Sequence, residues 1–72
     1  MEFGDRVRSY RLKTGLSQEG LAYEAGINRT YIASLEAEQR NPSLDLMARL
    51  ATALKVDLGD LVKGLQKKRG RG

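Results

Sequence analysis

The chain has 72 residues, a net charge of +4 and neither cysteine nor histidine. This composition excludes disulfides, thiolate or imidazole metal ligands and the usual general base, so we expect no enzyme, metal or cofactor. The length fits one small domain, and the basic balance, with a pI near 9.8, favours a polyanionic partner. Because no signal peptide or transmembrane-length run is present, we expect a cytoplasmic protein with no membrane partner and no small-molecule ligand.

The first predicted element is a helix over residues 3–14. Its apolar stripe consists of Phe3, Val7 and Tyr10, which recur at helical spacing. Gly15 ends it, because glycine tolerates the left-handed conformation. The chain has one proline and no alternating apolar runs, so the sequence predicts an all-α protein.

Two short helices joined by a glycine turn come next. Ser17 predicts the N-cap of the second helix and Gly26 its end, while Asn28 predicts the N-cap of the third. Two helices with a tight turn between them form a helix-turn-helix, here over residues 17–36. The predicted buried positions in this unit are Leu21, Ala22, Ala25, Ile32 and Leu35.

Two more helices follow Pro42, which cannot continue a helix. Ser43 predicts the N-cap of the fourth helix, and Asp57 predicts that of a short fifth helix. The predicted apolar face of the fourth helix consists of Leu44, Met47, Leu50, Ala51 and Leu54.

The exposed face of the third helix carries the candidate functional residues. Arg29 and Thr30 lie in its first turn, and Ser34 lies one turn later. An arginine suits guanine O6 and N7, and a threonine can bond a base or touch a thymine methyl, in the groove where the first turn of such a helix meets DNA. The plain alternative is that the unit binds no DNA and that Arg29 is a solvated surface residue.

The stretch "GLSQEGLAYEAGINRTYIASLEAEQRNPSLDLMARLATALKV" resembles the Cro and phage-repressor type of helix-turn-helix protein, the XRE family. The resemblance covers about residues 4–65, and "LAYEAGINRTYIASLE" is more similar still to the controller proteins of restriction–modification systems. It implies a compact five-helix lambda-repressor-like DNA-binding domain, which we place at residues 1–65. The basic residues 66–72 are predicted to be a disordered tail.

What the resemblance implies is a sequence-specific transcription regulator that binds double-stranded DNA as a homodimer on a pseudo-palindromic operator. The alternatives are an antitoxin-like protein-interaction module and a non-specific nucleic-acid binder. The family positions for base contacts are Arg29, Thr30 and Ser34. The family positions for backbone contacts are Gln18, Asn28, Tyr31, Arg40, Asn41 and Ser43.

Three of the backbone positions have plain alternatives. Gln18 can be an ordinary first-turn polar residue, Tyr31 can be half-buried packing, and Arg40 can be a loop charge. The resemblance also implies a structural ion pair between Arg11 and Glu36, which would orient the third helix. If this pair is buried, loss of one partner leaves a stranded charge.

Two positions depart from the family pattern. Gly20 stands where glutamate is common, and Glu38 stands where glycine is common. We place Glu38 at the C-terminal end of a helix, where the helix dipole disfavours a negative charge.

The fifth helix presents more apolar side chains than one small domain can bury. We interpret its stripe as a twofold dimer interface, and the alternative is that the whole stripe is intramolecular core. The predicted interface residues are Leu58, Leu61, Val62 and Leu65.

Overall fold

A computed structural model describes residues 3–63 of the chain, and these residues form five α-helices without a strand. The all-α prediction is confirmed, and the first helix has the predicted bounds. Leu65 and the tail 66–72 lie outside the described residues. The helices are α1 Phe3–Thr14, α2 Gln18–Ala25, α3 Arg29–Glu36, α4 Leu44–Leu54 and α5 Leu58–Val62.

Local capping sets where the three central helices begin. The hydroxyl of Ser17 accepts the Gly20 N–H at 2.9 Å, and the hydroxyl of Ser43 accepts the Leu46 N–H at 3.2 Å. The side-chain oxygen of Asn28 accepts a backbone N–H in the same way. Each oxygen satisfies one of the donors that a helix leaves unbonded in its first turn.

The turn between α2 and α3 depends on Gly26, whose φ is 68°. This left-handed conformation is the one that only glycine adopts without steric cost. The following N–H, of Ile27, then donates to Ala22 O at 2.9 Å. Ile27 packs half-buried against the core at the corner between the two helices.

The core lies between all five helices. Helix α2 packs against α3 and α4, and α1 packs against α3, α4 and α5. This arrangement leaves the opposite side of α3 facing solvent. The largest fully buried side chains are Phe3, Val7, Leu21, Ile32, Leu35, Leu50, Leu54 and Leu61.

The start of α1 lies directly against the end of α3. A Cβ atom built on Gly4 would overlap the carbonyl oxygen of Leu35. Only a residue without a side chain permits this approach, so Gly4 sets how closely the two helices pack.

Two apolar positions differ from prediction. Leu44 begins α4 with 69% of its surface exposed, because the face that meets the core starts further along the helix. Leu61 has no exposed surface, because α5 folds back onto α1 and α4 through this side chain. The assignment of Leu61 to a dimer interface is therefore wrong, and the residue belongs to the core of one chain.

Candidate nucleic-acid interface

The first turn of α3 holds two of the three predicted base-contacting residues in solvent. Arg29 and Thr30 are both exposed, while Ile32 on the reverse of the helix is completely buried. Ser34 is half-buried one turn later. Within residues 3–63 the Arg29 side chain forms no ion pair, so its guanidinium donors remain available to a ligand.

Asn28 has a structural task in addition to its predicted contact with the DNA backbone. Its Oδ1 accepts the Thr30 N–H at 2.7 Å, which fixes the start of α3. The cap uses only the oxygen of the carboxamide. The nitrogen of Asn28 still offers two donors, which suit a phosphate oxygen.

A bidentate ion pair joins α1 to the end of α3. Arg11 Nε lies 2.7 Å from Glu36 Oε2, and Arg11 Nη2 lies 2.9 Å from Glu36 Oε1. The side chains are only 10% and 4% exposed. Hydrogen bonding to Glu36 raises the pKa of Arg11 above its usual value, against the opposing effect of burial. These two residues are the ones that the resemblance pairs.

The ion pair also reaches the start of α2. Arg11 Nη1 donates to Leu16 O at 2.9 Å, and Gln18 Nε2 donates to Glu36 Oε1 at 3.2 Å. The Gln18 carboxamide is thereby attached to the buried pair, and its second N–H is left for the predicted phosphate contact. Glu36 thus links the C-terminal part of α1, the start of α2 and the end of α3.

The loop after α3 carries the remaining predicted backbone contacts. Arg40 and Asn41 are exposed, whereas the hydroxyl of Ser43 is engaged in capping α4. The Arg40 guanidinium lies 5.7 Å from the centre of the Tyr31 ring. Tyr31 is itself half-buried against the core, so its ring is both packed and in contact with a charged side chain.

The outer face of α5 retains two of the four residues predicted for a dimer interface. Leu58 and Val62 are half-buried, although each packs partly against the core. Arg6 of α1 donates from Nη1 to the carbonyl oxygens of Asp60 and Lys63, which holds the end of α5 in place. A cation at these carbonyls complements the negative end of the helix dipole.

Sequence reasoning missed Arg6 and misjudged Glu38. The Glu38 carboxylate accepts the Asp5 N–H at 3.0 Å, so it caps the N-terminus of α1, where the helix dipole favours a negative charge. The prediction considered the dipole of α3 and the nearby phosphate surface, but not the dipole of α1. No local pattern signals either contact, because each joins residues more than thirty positions apart.

Among residues 3–63 the structure contains no cluster of acidic side chains that could hold a metal ion. In the same part of the chain, no helix has the length and apolar character needed to cross a membrane.

Residues 7–61 match the helix-turn-helix family HTH_3. Control protein C.BamHI of Bacillus amyloliquefaciens is 46% identical over 61 residues, which are 83% of this chain and 75% of that protein. The crystal structure of the restriction–modification controller protein C.AhdI from Aeromonas hydrophila is similar, with 45% identity and a TM-score of 0.81, over 83% of this chain and 91% of that one. SinR in complex with DNA has 31% identity and a TM-score of 0.81, over 85% and 98% of the two chains.

Helix α2, the tight turn at Gly26 and helix α3 with its exposed first turn define a helix-turn-helix domain, in which α3 is the recognition helix. The chain belongs to the HTH_3 helix-turn-helix family and is a DNA-binding transcription regulator.

Proposed function

We propose that the chain is the controller of a restriction–modification system and acts as a homodimer on a pseudo-palindromic operator. The single observation that carries this proposal is the exposure of Arg29 and Thr30 on a helix whose reverse side is buried. The similarity to proteins named as controllers supports the choice within the family. In this proposal its action is regulatory and not catalytic, and takes place in the cytoplasm.

Each recognition helix would enter the major groove with its first turn foremost. Arg29 and Thr30 would meet base edges, while Ser34 would lie further along the same face. The backbone contacts on either side would come from Gln18 and Asn28 at two helix starts, and from the loop of Arg40 and Asn41.

Dimerisation through the outer face of α5 would place two recognition helices about 34 Å apart, which is one turn of B-DNA. The half-sites would then lie about 10 base pairs apart. Leu58 and Val62 are the described residues available for this interface, because Leu61 is fully buried in the core of its own chain.

Selection of bound sequences from random duplex DNA, followed by measurement of protein-to-DNA stoichiometry, tests the proposal. We expect an enriched pair of inverted half-sites that binds two chains. A non-specific binder would enrich no sequence and would lose affinity equally on all duplexes as salt rises. An antitoxin-like module would be monomeric in isolation, so absence of a dimer together with absence of enrichment would reject the proposed function.

A further inference from the structure

The loop that follows α3 turns back along the helix. Glu38 has a φ of 63°, and this left-handed residue reverses the chain after α3. Its N–H donates to Leu35 O at 3.0 Å, and the next N–H, of Gln39, donates to Ser34 O at 2.9 Å. These two bonds close the C-terminal end of the helix. As a result, Arg40 returns to the level of the Tyr31 ring near the start of α3.

The Arg40 guanidinium lies over a Tyr31 ring that packing holds in place. The ring is half-buried and packs against the hydrophobic core, whereas Arg40 is exposed. Within residues 3–63 Arg40 forms no ion pair that would draw it elsewhere. Attraction between a guanidinium and the face of an aromatic ring therefore orients this side chain.

We propose that Tyr31 is a positioning residue for Arg40, and this inference rests on the proposed function. The ring, in the first turn of α3, holds the guanidinium against this end of the helix before DNA binds. A free arginine side chain loses rotamer freedom when it binds, and an arginine that is already stacked loses less. Tyr31 thus contributes to DNA affinity through Arg40.

The test compares affinities for a duplex obtained by the selection described above. Arg40→Ala should weaken binding and lower the slope of log K against log salt by about 0.9. Tyr31→Leu removes the ring and should weaken binding about two- to fivefold. Tyr31→Phe keeps the ring face and loses only the hydroxyl with its predicted backbone contact, so it should weaken binding less than Tyr31→Leu. The loss in the double variant Tyr31→Leu/Arg40→Ala should be smaller than the sum of the two single losses, because without Arg40 the ring has no guanidinium to position.

The chain offers a matched control on α1. Lys13 Nζ lies 5.4 Å from the centre of the Tyr10 ring, so Tyr10→Leu removes a similar ring–cation contact within α1. This variant should leave the affinity unchanged. Additive losses in the Tyr31→Leu/Arg40→Ala cycle, or an equal loss for Tyr31→Phe and Tyr31→Leu, would overturn the positioning role.

A measurement on the unmodified chain covers the case in which Tyr31→Leu does not fold. By NMR, the δ protons of Arg40 should be shifted upfield by the ring current in DNA-free protein. Random-coil values for these protons would overturn the proposal without any variant. A selection that enriches no sequence would reject the proposed function instead, so the two failures are distinguishable.

Discussion

Glu36 accepts hydrogen bonds from Arg11 through both of its oxygens, at 2.7 and 2.9 Å, inside the angle between α1 and α3. One of these oxygens also accepts from Gln18. The end of the recognition helix is therefore tied to α1 and to the first turn of α2. The orientation of α3 depends on this polar contact as well as on the hydrophobic core.

Arg11→Met should lower the free energy of unfolding by about 3–5 kcal/mol, because it strands the Glu36 charge in a buried site. The double variant Arg11→Met/Glu36→Leu should recover most of this loss, since it removes both charges. Urea denaturation measures both effects. The exposed pair Asp45–Arg49, separated by 3.5 Å, is the control, and Arg49→Met should cost about 0.5 kcal/mol or less. A double variant as unstable as Arg11→Met would contradict this account.

The raised pKa of Arg11 also predicts how pH acts on this pair. A basic group whose pKa is raised in the folded state contributes its full stabilisation at every pH below its pKa in the unfolded chain. That contribution is lost only as pH rises through the raised value. Arg11 therefore stays charged throughout the neutral pH range. Its titration should not change the loss of stability caused by Arg11→Met over that range.

Glu38 has a strained, left-handed backbone conformation, and its side chain caps α1. Glu38→Ala keeps the left-handed φ and loses the bond to the Asp5 N–H, so we expect a loss of about 1 kcal/mol in the free energy of unfolding. Glu38→Gly loses the same bond but removes the strain, which is worth about 1 kcal/mol, and should be nearly neutral. Lys55, at φ 61°, is the control. Lys55→Gly should stabilise the protein. Thermal melting compares the three variants, and a Glu38→Gly variant no more stable than Glu38→Ala would contradict this account.

Gly4 should not tolerate even one added carbon. Gly4→Ala would force the new Cβ against the Leu35 carbonyl, and we expect a destabilisation of about 1–3 kcal/mol. Gly59 in α5 has open space where its Cβ would stand, so Gly59→Ala should stabilise by about 0.5–1 kcal/mol. Chemical denaturation compares the two. Equal gains in both variants would mean that α1 lies further from α3 than described.

Arg29→Ala should cost about 1–3 kcal/mol of binding to the selected duplex and relax the preference at one base pair. The reason is the loss of paired donors to a base edge. Fluorescence anisotropy on the selected duplex and on a random duplex measures the difference. Arg8, which is exposed on α1, provides the charge-matched variant Arg8→Ala, whose effect should be small and equal on both duplexes. The same equal loss for Arg29→Ala would rule out base reading.

Val62→Glu should produce monomers, because it places a charge on the outer face of α5, where we expect the partner chain. Sedimentation measures the state, and far-UV circular dichroism checks that the helices persist. Leu61→Ala supplies the contrast: it should lower the free energy of unfolding by about 2–5 kcal/mol yet leave the folded protein dimeric. A dimer that survives Val62→Glu would exclude this face.

Much of the fold was predictable because its signals are local. Ser17, Asn28 and Ser43 cap the helices that follow them, and Gly26 ends α2 in the left-handed conformation. The alternation of buried and exposed positions in α3 follows from 3.6 residues per turn. These features depend on neighbours within about four residues, so the sequence shows them directly.

The apolar stripe of α5 shows what local sequence patterns could not predict. Its spacing shows that the face is hydrophobic, but it cannot show whether the same chain or a second chain covers it. In the structure the outcome differs between residues: Leu61 is fully buried within its own chain, whereas Val62 is only partly buried.

The sequence by itself thus determined five helices, the side-chain caps of α2, α3 and α4, and the outward face of Arg29 and Thr30, because periodicity and capping act over a single turn. The predicted cap residue of α5, Asp57, makes no side-chain capping bond. Only the tertiary structure decided that Glu38 caps α1, that Arg6 holds α5 and that Arg40 stacks on Tyr31. Each of these contacts brings a side chain to a backbone group or ring that chain reversals and helix packing place beside it, and such distances are set by the whole core.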